Sequence, residues 1–303
     1  MSQDKQLLVT GGTGFIGIPL CKQLAARGYA VTVLSRNPER AAKVLPRDVR
    51  VIASLTRVEA DFSHVVNLAG EPLANGRWNE TRKNEFYASR IGLTKQLVDF
   101  FQSNHAHPEV VVSGSAIGIY GHRQAEVLTE ASPAGEGYAA MLCRDWEAEA
   151  LRFSTLGSRV CLLRTGIVLG PDGGALHKML PAFRLGLGGR LGDGQQWMSW
   201  VHRDDLIRII IFCLEHQTLT GPVNGVAPQP VRNDVFAQQL ARVLHRPALL
   251  PMPALALRLL FGEMAEELLL ASQRVIPQAS EQQGFTFDYP DLKRALTKIL
   301  KNN

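Results

Sequence analysis

Seven residues near the start of the chain, Gly11-Gly12-Thr13-Gly14-Phe15-Ile16-Gly17, carry the plainest chemistry. They follow the apolar run Leu7-Leu8-Val9 and open an amphipathic stretch, so a glycine turn joins a strand to a helix. Side chains at such a turn would hold a diphosphate away. The first N–H groups of the helix, with the positive end of its dipole, would bind one. Gly17 lets the helix pack closely on the strand. The second strand ends Val33-Leu34-Ser35-Arg36. A site for NAD usually places a carboxylate there to accept from the ribose 2′-hydroxyl. Arg36 instead offers a guanidinium to a 2′-phosphate, and Ser35 adds a hydroxyl donor. The expected cofactor is therefore NADP, with a merely solvated Arg36 as the plain alternative. Further on, Asn67-Leu68-Ala69-Gly70-Glu71 puts small residues at a strand end, where backbone can lie against ribose and diphosphate.

A parallel sheet with helices on both faces is needed to hold these residues in place. Short apolar runs alternate with longer amphipathic stretches, the pattern of βα units. Strands are expected at 7–9, 30–34, 49–52, 64–68, 110–112 and 160–163, and helices at 15–27, 79–102 and 138–154. Gly28 reads as the left-handed residue closing the first helix. After Gly166 the chain is glycine-rich to 194, with Pro171, Pro181 and a short helical pattern between them. A strand near 197–201, a helix at 204–214 and a mostly helical tail from Val231 to Leu300 follow. The expected fold is α/β, a Rossmann-type doubly wound parallel sheet with a smaller, mostly helical C-terminal lobe on the substrate side. The cofactor domain is placed at 1–165, with 196–225 returning to it, and the lobe at 166–195 and 226–303.

With 303 residues, 46% hydrophobic and 20% charged, the chain can bury a large core and is not disordered. The net charge of +5 comes from scattered basic residues without interleaved aromatics, which argues against nucleic acid. No apolar run reaches membrane-span length, and the N-terminus does not read as a signal peptide. Cys21, Cys143, Cys161 and Cys213 lack metal-ligand spacing and read as reduced thiols of a cytoplasmic protein. The expected partner is a small-molecule substrate, with neither nucleic acid nor membrane, and the chain is read as a monomer or homodimer.

The glycine motif, Asn67-Leu68-Ala69-Gly70 and Ser113-Gly114-Ser115 resemble the extended short-chain dehydrogenase/reductases, the NAD(P)-dependent epimerase/dehydratase family. Arg77-Trp78, Ser89-Arg90-Ile91, Trp146-Glu147, Arg164 to Gly170, Gly186 to Gly189 and Gln196 to His202 narrow the likeness to an atypical epimerase-like subfamily. Its C-terminal domain of unknown function is similar at Gly262-Glu263, Ser272 to Pro277 and Gly284 to Phe287. The resemblance implies that Gly11, Gly14, Phe15, Ile16 and Gly17 form the diphosphate loop. It puts Ser35 and Arg36 at the 2′-phosphate, Leu68, Ala69 and Gly70 at the adenosine ribose and diphosphate, and Ile167 beside the nicotinamide. Thr94 stands where relatives commonly carry an Asn facing the cofactor, a departure. Arg90, four residues earlier, is read as reaching a phosphate. Glu85 is read as pairing with Arg90 or with the cofactor, a solvated helix face being the alternative for both.

Catalysis in that superfamily uses a Ser or Thr to hold the substrate oxygen, a Tyr to transfer the proton and a Lys to lower the Tyr pKa. Ser115 and Tyr138 match the first two. The lysine is missing: position 142 is Leu142, and aligning on Glu147 moves the slots to Ala139 and Cys143. No lysine lies between Lys95 and Lys178. Two readings stay open. One is an NADP-dependent oxidoreductase or epimerase acting on a small sugar or carbonyl compound, nucleotide-linked forms included. The other is a non-catalytic NADPH-binding sensor. His202-Arg203-Asp204-Asp205 reads as a strand-to-helix junction capped by Asp. The glycine-rich loop from Gly186 to Gln195, flanked by Lys178, Arg184 and Arg190, suits closure over an anionic substrate, or else is a surface turn.

Overall fold

Strands with unbroken apolar runs must be covered on both faces, and this chain covers them with helices. A computed structural model describes residues 5–56 and 58–301. The first half runs β1 (Lys5–Thr10), α1 (Gly17–Ala26), β2 (Tyr29–Leu34), α2 (Pro38–Val44), β3 (Arg50–Ile52) and β4 (His64–Asn67). A long helical stretch follows in three pieces: α3 (Glu80–Tyr87), a π-helical turn at Ala88–Gly92, and α4 (Leu93–Ser103). Then come β5 (Val110–Ala116), β6 (Val127–Leu128), α5 (Tyr138–Leu151), β7 (Arg159–Thr165) and β8 (Ile167–Gly170). The remainder is α6 (Gly174–Arg184), β9 (Trp197–Met198), β10 (Trp200–His202), α7 (Arg203–Glu215), β11 (Gly221–Gly225), β12 (Val231–Arg232), α8 (Asn233–Leu244), α9 (Ala254–Phe261), β13 (Arg274–Val275), α10 (Gln278–Gln282) and α11 (Leu292–Lys301).

The main sheet has seven parallel strands in the order β3-β2-β1-β4-β5-β7-β11. The direction of winding reverses between β1 and β4, so a crevice opens at the C-terminal ends of those strands. On one face Leu20 and Leu24 of α1 and Ile207 and Ile210 of α7 pack on Leu7, Val9 and Val112. On the other, Leu97 and Phe101 of α4 and Ala150 of α5 pack on Leu8, Val65 and Val111. A second core lies in the C-terminal lobe, where α6, α8 and α11 enclose Leu180, Phe183, Trp200, Phe236, Leu240 and Leu296.

The expected strands and helices of the sheet are present, and Gly28 has φ of +81° as read. Several features differ. α2 went unread although Asn37 caps it, accepting from Arg40 N at 3.0 Å, with Pro38 at its first position. β8 went unread, and so did β11, whose Gly-Pro sequence looks like a turn. It is an edge strand, where a proline costs no ladder bond. α6 runs through Pro181. A helix-interior proline costs about 3 kcal/mol, but Leu176, Leu180 and Phe183 bury one face at about 1.5–3 kcal/mol each. Finally, the cap of α7 is not an aspartate. His202 Nδ1 accepts from Asp204 N at 3.1 Å. Asp205 is fully buried and holds the C-terminal segment, accepting from Asp288 N at 2.9 Å and Tyr289 N at 2.8 Å.

Burial holds two imidazoles below the ordinary histidine range: His64 in β4, despite the opposing charge of Glu109, and His202, despite Asp204 and Asp205. Above about pH 6.5 both are neutral whether the chain is folded or not. As the pH falls below that, the unfolded chain takes up protons first, so stability drops until the folded pKa is reached. The urea midpoint should therefore fall between pH 7.5 and 5.5, and His202→Asn, which caps without titrating, should reduce that fall. An unchanged slope in the variant would exclude His202 as a source.

Candidate cofactor cleft and catalytic centre

The glycine turn fits a diphosphate on structural grounds. Gly11 has φ of +71°, and a Cβ on it would come within 2.7–2.9 Å of the Leu68 and Ala69 backbone. The turn and the end of β4 thus touch, bringing together two segments read separately. A Cβ on Gly17 would lie 2.2 Å from Gly11 O, so α1 can approach only through glycine. No side chain caps α1 and its first turn has no acid, which leaves its N–H groups and dipole for an anion. The Phe15 ring turns the other way. It nests against Gly170, Gly173 and Gly174 with the Arg203 guanidinium 5.0 Å from its centroid, so it locks the loop to the lobe.

At the end of β2, Ser35 accepts from Asn37 N at 3.2 Å. Arg36 is exposed and, among the described residues, makes neither an ion pair nor a side-chain hydrogen bond. Gly70 lies under Arg90: a Cβ there would meet its guanidinium at 3.0–3.2 Å. Arg90 donates to Glu71 O at 3.0 Å, stands 5.4 Å from the Trp146 ring centroid, and has no carboxylate partner among the described residues. Burial lowers its pKa. Glu85 does not meet Arg90; it accepts from Arg82 at 2.6 Å. Thr94 is fully buried and bonds Asn67, Trp146 and the Arg90 carbonyl. Ile167 opens β8 and donates its N–H to Ser199 O at 2.9 Å.

Ser115 and Tyr138, read as partners, are held by different groups. Ser115 is 4% exposed and donates to Glu147 Oε1 at 2.6 Å. Arg164 grips the same carboxylate with Nε at 2.8 Å and a terminal nitrogen at 2.9 Å, and its other terminal nitrogen donates to the Tyr120 hydroxyl at 3.0 Å. Burial would lower the Arg164 pKa, but the bonds to Glu147 more than offset it and hold the guanidinium well above its usual value. Tyr120 passes the chain on to Asn224 Oδ1 at 2.7 Å. Tyr138 lies at the start of α5, and its hydroxyl donates to Lys83 O at 3.2 Å. Burial pushes its pKa up, opposed by the charge of Arg90. One cation escaped the sequence reading: Lys83 Nζ sits 4.7 Å from the Tyr138 ring centroid, although its charge is paired with Glu263 at 2.7 Å. Lys83 lies on α3, far from the Tyr-x-x-x-Lys frame, and nothing in its spacing marks it.

A cavity of about 460 Å³ adjoins the N-terminus of α5. Its wall combines the segment after β5 (Gly118 to His122), Glu136, the loop at Gly192-Asp193 and the lobe from Ala254 to Gln273. The glycine-rich loop is stitched to the lobe rather than free: Gly192 N donates to Met252 O at 2.9 Å, and Leu191 N to Asn233 Oδ1 at 2.7 Å. Lys178, read beside that loop, instead donates to Ala74 O and Asn75 Oδ1, both at 2.7 Å.

Over residues 7–224 the sequence matches the NAD dependent epimerase/dehydratase family, and over 252–299 a domain of unknown function. The chloroplastic epimerase family protein SDR39U1 homolog of Arabidopsis thaliana is 42% identical over 301 residues, covering 97% of this chain and 86% of its own. The crystal structure of human epimerase family protein SDR39U1 (isoform 2) with NADPH shares the fold with a TM-score of 0.87 at 34% identity, covering 98% of this chain and 100% of that one. A nucleoside-diphosphate sugar epimerase from Corynebacterium glutamicum gives a TM-score of 0.76 at 32% identity, covering 98% of this chain and 58% of its own.

The Glu147–Arg164 pair makes a prediction about stability. Glu147→Ala leaves a buried guanidinium without its carboxylate and should cost about 3–5 kcal/mol. Ser115→Ala gives up one bond to a charged acceptor and should cost about 1.5–3 kcal/mol. Urea denaturation of both variants checks the order. A Ser115→Ala loss as large as that of Glu147→Ala would contradict it.

Proposed function

The chain belongs to the NAD-dependent epimerase/dehydratase family, and from that premise we propose that it binds NADP(H) and acts as an oxidoreductase or epimerase on a small sugar-like or carbonyl compound. The observation that carries this reading is the pairing of an uncapped glycine-turn helix with an exposed, unpaired arginine at the end of β2. The NADPH in the 34% identical human structure supports it. When bound, the nicotinamide gives or takes a hydride. The chain's own residues do the rest. Gly11, Gly14 and Gly17 admit the diphosphate to the α1 N-terminus, and Ser35 and Arg36 hold the 2′-phosphate. Leu68, Ala69 and Gly70 line the adenosine side, with Arg90 above Gly70, and Ile167 lies at the nicotinamide end. Tyr138, with its pKa held above the usual 10 by burial, keeps its proton at neutral pH and serves as the acid.

A second reading, an NADPH-binding regulator without turnover, is favoured by one observation: the Ser115 hydroxyl already donates its hydrogen bond to Glu147. Four buried, unpaired cysteines suit a reducing compartment such as the cytoplasm. No helix among the described residues is long and apolar enough to cross a membrane.

Removing the charge-assisted bonds of Arg36 to a 2′-phosphate should weaken NADPH binding by about 10–100-fold. Arg36→Ser should therefore bring the NADPH Kd close to that for NADH, as read by nicotinamide fluorescence. Unaltered discrimination would remove Arg36 from the site. The choice between enzyme and regulator is made by following nicotinamide absorbance with a panel of carbonyls and sugars. The enzyme reading expects turnover that Tyr138→Phe abolishes. NADPH binding with no turnover on any compound would leave the regulator.

A further inference from the structure

We propose that the exposed leucine face beside α9 docks on the surface of an anionic lipid bilayer. Two segments build the face. The glycine-rich loop contributes Leu185 and Leu187, and the run from Pro247 into α9 contributes Leu249, Leu250, Leu255 and Leu259. All six are between 54% and 79% exposed. The segments adjoin. Met252 N donates to Arg190 O and Gly192 N to Met252 O, both at 2.9 Å, and a Cβ on Gly189 would come within 2.1 Å of Leu250 O. Leu255 and Leu259 stand one turn apart on the side of α9 opposite the buried Leu257. A single exposed leucine is ordinary on a folded surface, but six on adjoining segments mark a contact face.

The charge around the face selects the occupant. Residues 173–192 and 235–262 hold Lys178, Arg184, Arg190, Arg242, Arg246 and Arg258 but neither an aspartate nor a glutamate, although the chain has 28 of these acids. Arg258 is paired with Glu266, and Lys178 is tied to the 74–75 segment. Arg184, Arg190, Arg242 and Arg246 are exposed and form no ion pair among the described residues. Arg246 Nε donates to Arg184 O at 3.0 Å, which puts both arginines beside the loop leucines. The four acids that bound the two runs are already engaged. Asp172 faces Arg203 at 3.8 Å and Glu263 pairs with Lys83 at 2.7 Å, while Asp193 accepts from Gln195 N and Asp234 from Val235 N. A second copy meeting the same face would set arginine against arginine, which is unfavourable. Anionic headgroups instead receive the arginines while the leucines enter the acyl boundary, as for a helix lying in the interface plane. The expectation of no membrane rests on the lack of an apolar run long enough to span one, and a face that lies on a bilayer needs no such run.

The test is co-sedimentation of the protein with vesicles of phosphatidylcholine alone and of equimolar phosphatidylcholine and phosphatidylglycerol, beside sedimentation velocity without lipid. Binding to the mixed vesicles is expected, about tenfold tighter than to phosphatidylcholine and weakening as salt is raised. The double variant Leu255→Gln/Leu259→Gln should weaken it by about tenfold or more, because both side chains lose their place in the acyl boundary. Arg184→Gln/Arg246→Gln should weaken it by about tenfold through lost attraction to the headgroups. Both variants should keep the circular dichroism spectrum of the parent, since all four side chains are exposed. Equal binding to the two kinds of vesicle, binding that the leucine variant retains, or no binding to either overturns the proposal. A dimer in lipid-free solution that the leucine variant dissociates, with no vesicle binding, assigns the face to a second copy and overturns it as well.

Discussion

Arg164 and Glu147 meet where water is excluded, and much of the centre hangs on their bond. Removing two charges from water costs several kcal/mol per ion, so such a pair is tolerated only when its remaining donors and acceptors are filled. Here they are. The guanidinium of Arg164 in β7 bonds Glu147 of α5, the Tyr120 hydroxyl and the Glu130 carbonyl. Glu147 also accepts a hydrogen bond from the Ser115 hydroxyl of β5. Tyr120 leads to Asn224 in β11, which donates to Ile276 O in the C-terminal segment. One chain of bonds therefore joins three neighbouring strands of the sheet, the helix bearing Tyr138 and the lobe. Removing either Glu147 or Arg164 would leave the other's charge buried without its counter-ion.

The cofactor half of the fold could be read directly because its signals are local. A strand, a glycine turn and a helix lie within twenty residues of one another, and the close approach of Gly17 to Gly11 is a property of the turn itself. The lobe was less readable because its elements are decided by tertiary contact. α6 continues through Pro181 because Leu180 and Phe183 have a core to enter. β11 is a strand because β7 offers it an open edge. The helix from Glu80 to Ser103 was expected as one element, but nothing in its sequence period announces the π-turn at Ala88–Gly92.

The candidate catalytic centre shows a different limit. Both halves of the buried ion pair stood inside recognisable motifs, Trp146-Glu147 and the run from Arg164 to Gly170, yet their pairing depends on register. Ser115 and Arg164 are opposite each other on adjacent strands, and α5 packs over them. The same geometry changes what Ser115 can do. A hydroxyl that donates to a carboxylate has only lone pairs left, so toward any third group it is an acceptor. A serine read as the group holding a substrate oxygen by donation is thus better suited to receive a hydroxyl proton.

The missing lysine of α5 has a packing counterpart. Leu142 is buried among Phe86, Ile91 and Trp146, and Cys143 among Ile117, Tyr120 and Leu128. Burial, with Glu147 nearby, pushes the Cys143 thiol up to about 11. An ammonium at either position would lose its hydration, and the neighbouring carboxylate is already committed to Arg164. Positive charge reaches Tyr138 from another helix instead. Lys83 lies over its ring, and Arg90 arrives from the π-turn onto the face of Trp146. One residue in a helix is worth about 100° of rotation, so the extra residue of the π-turn decides which way Arg90 points. The charge near Tyr138 is thus set by helix phase and packing, not by a residue four positions along the same helix. Lys83 is already paired with Glu263 and Arg90 only partly offsets burial, so the Tyr138 hydroxyl is held above the ordinary phenol range.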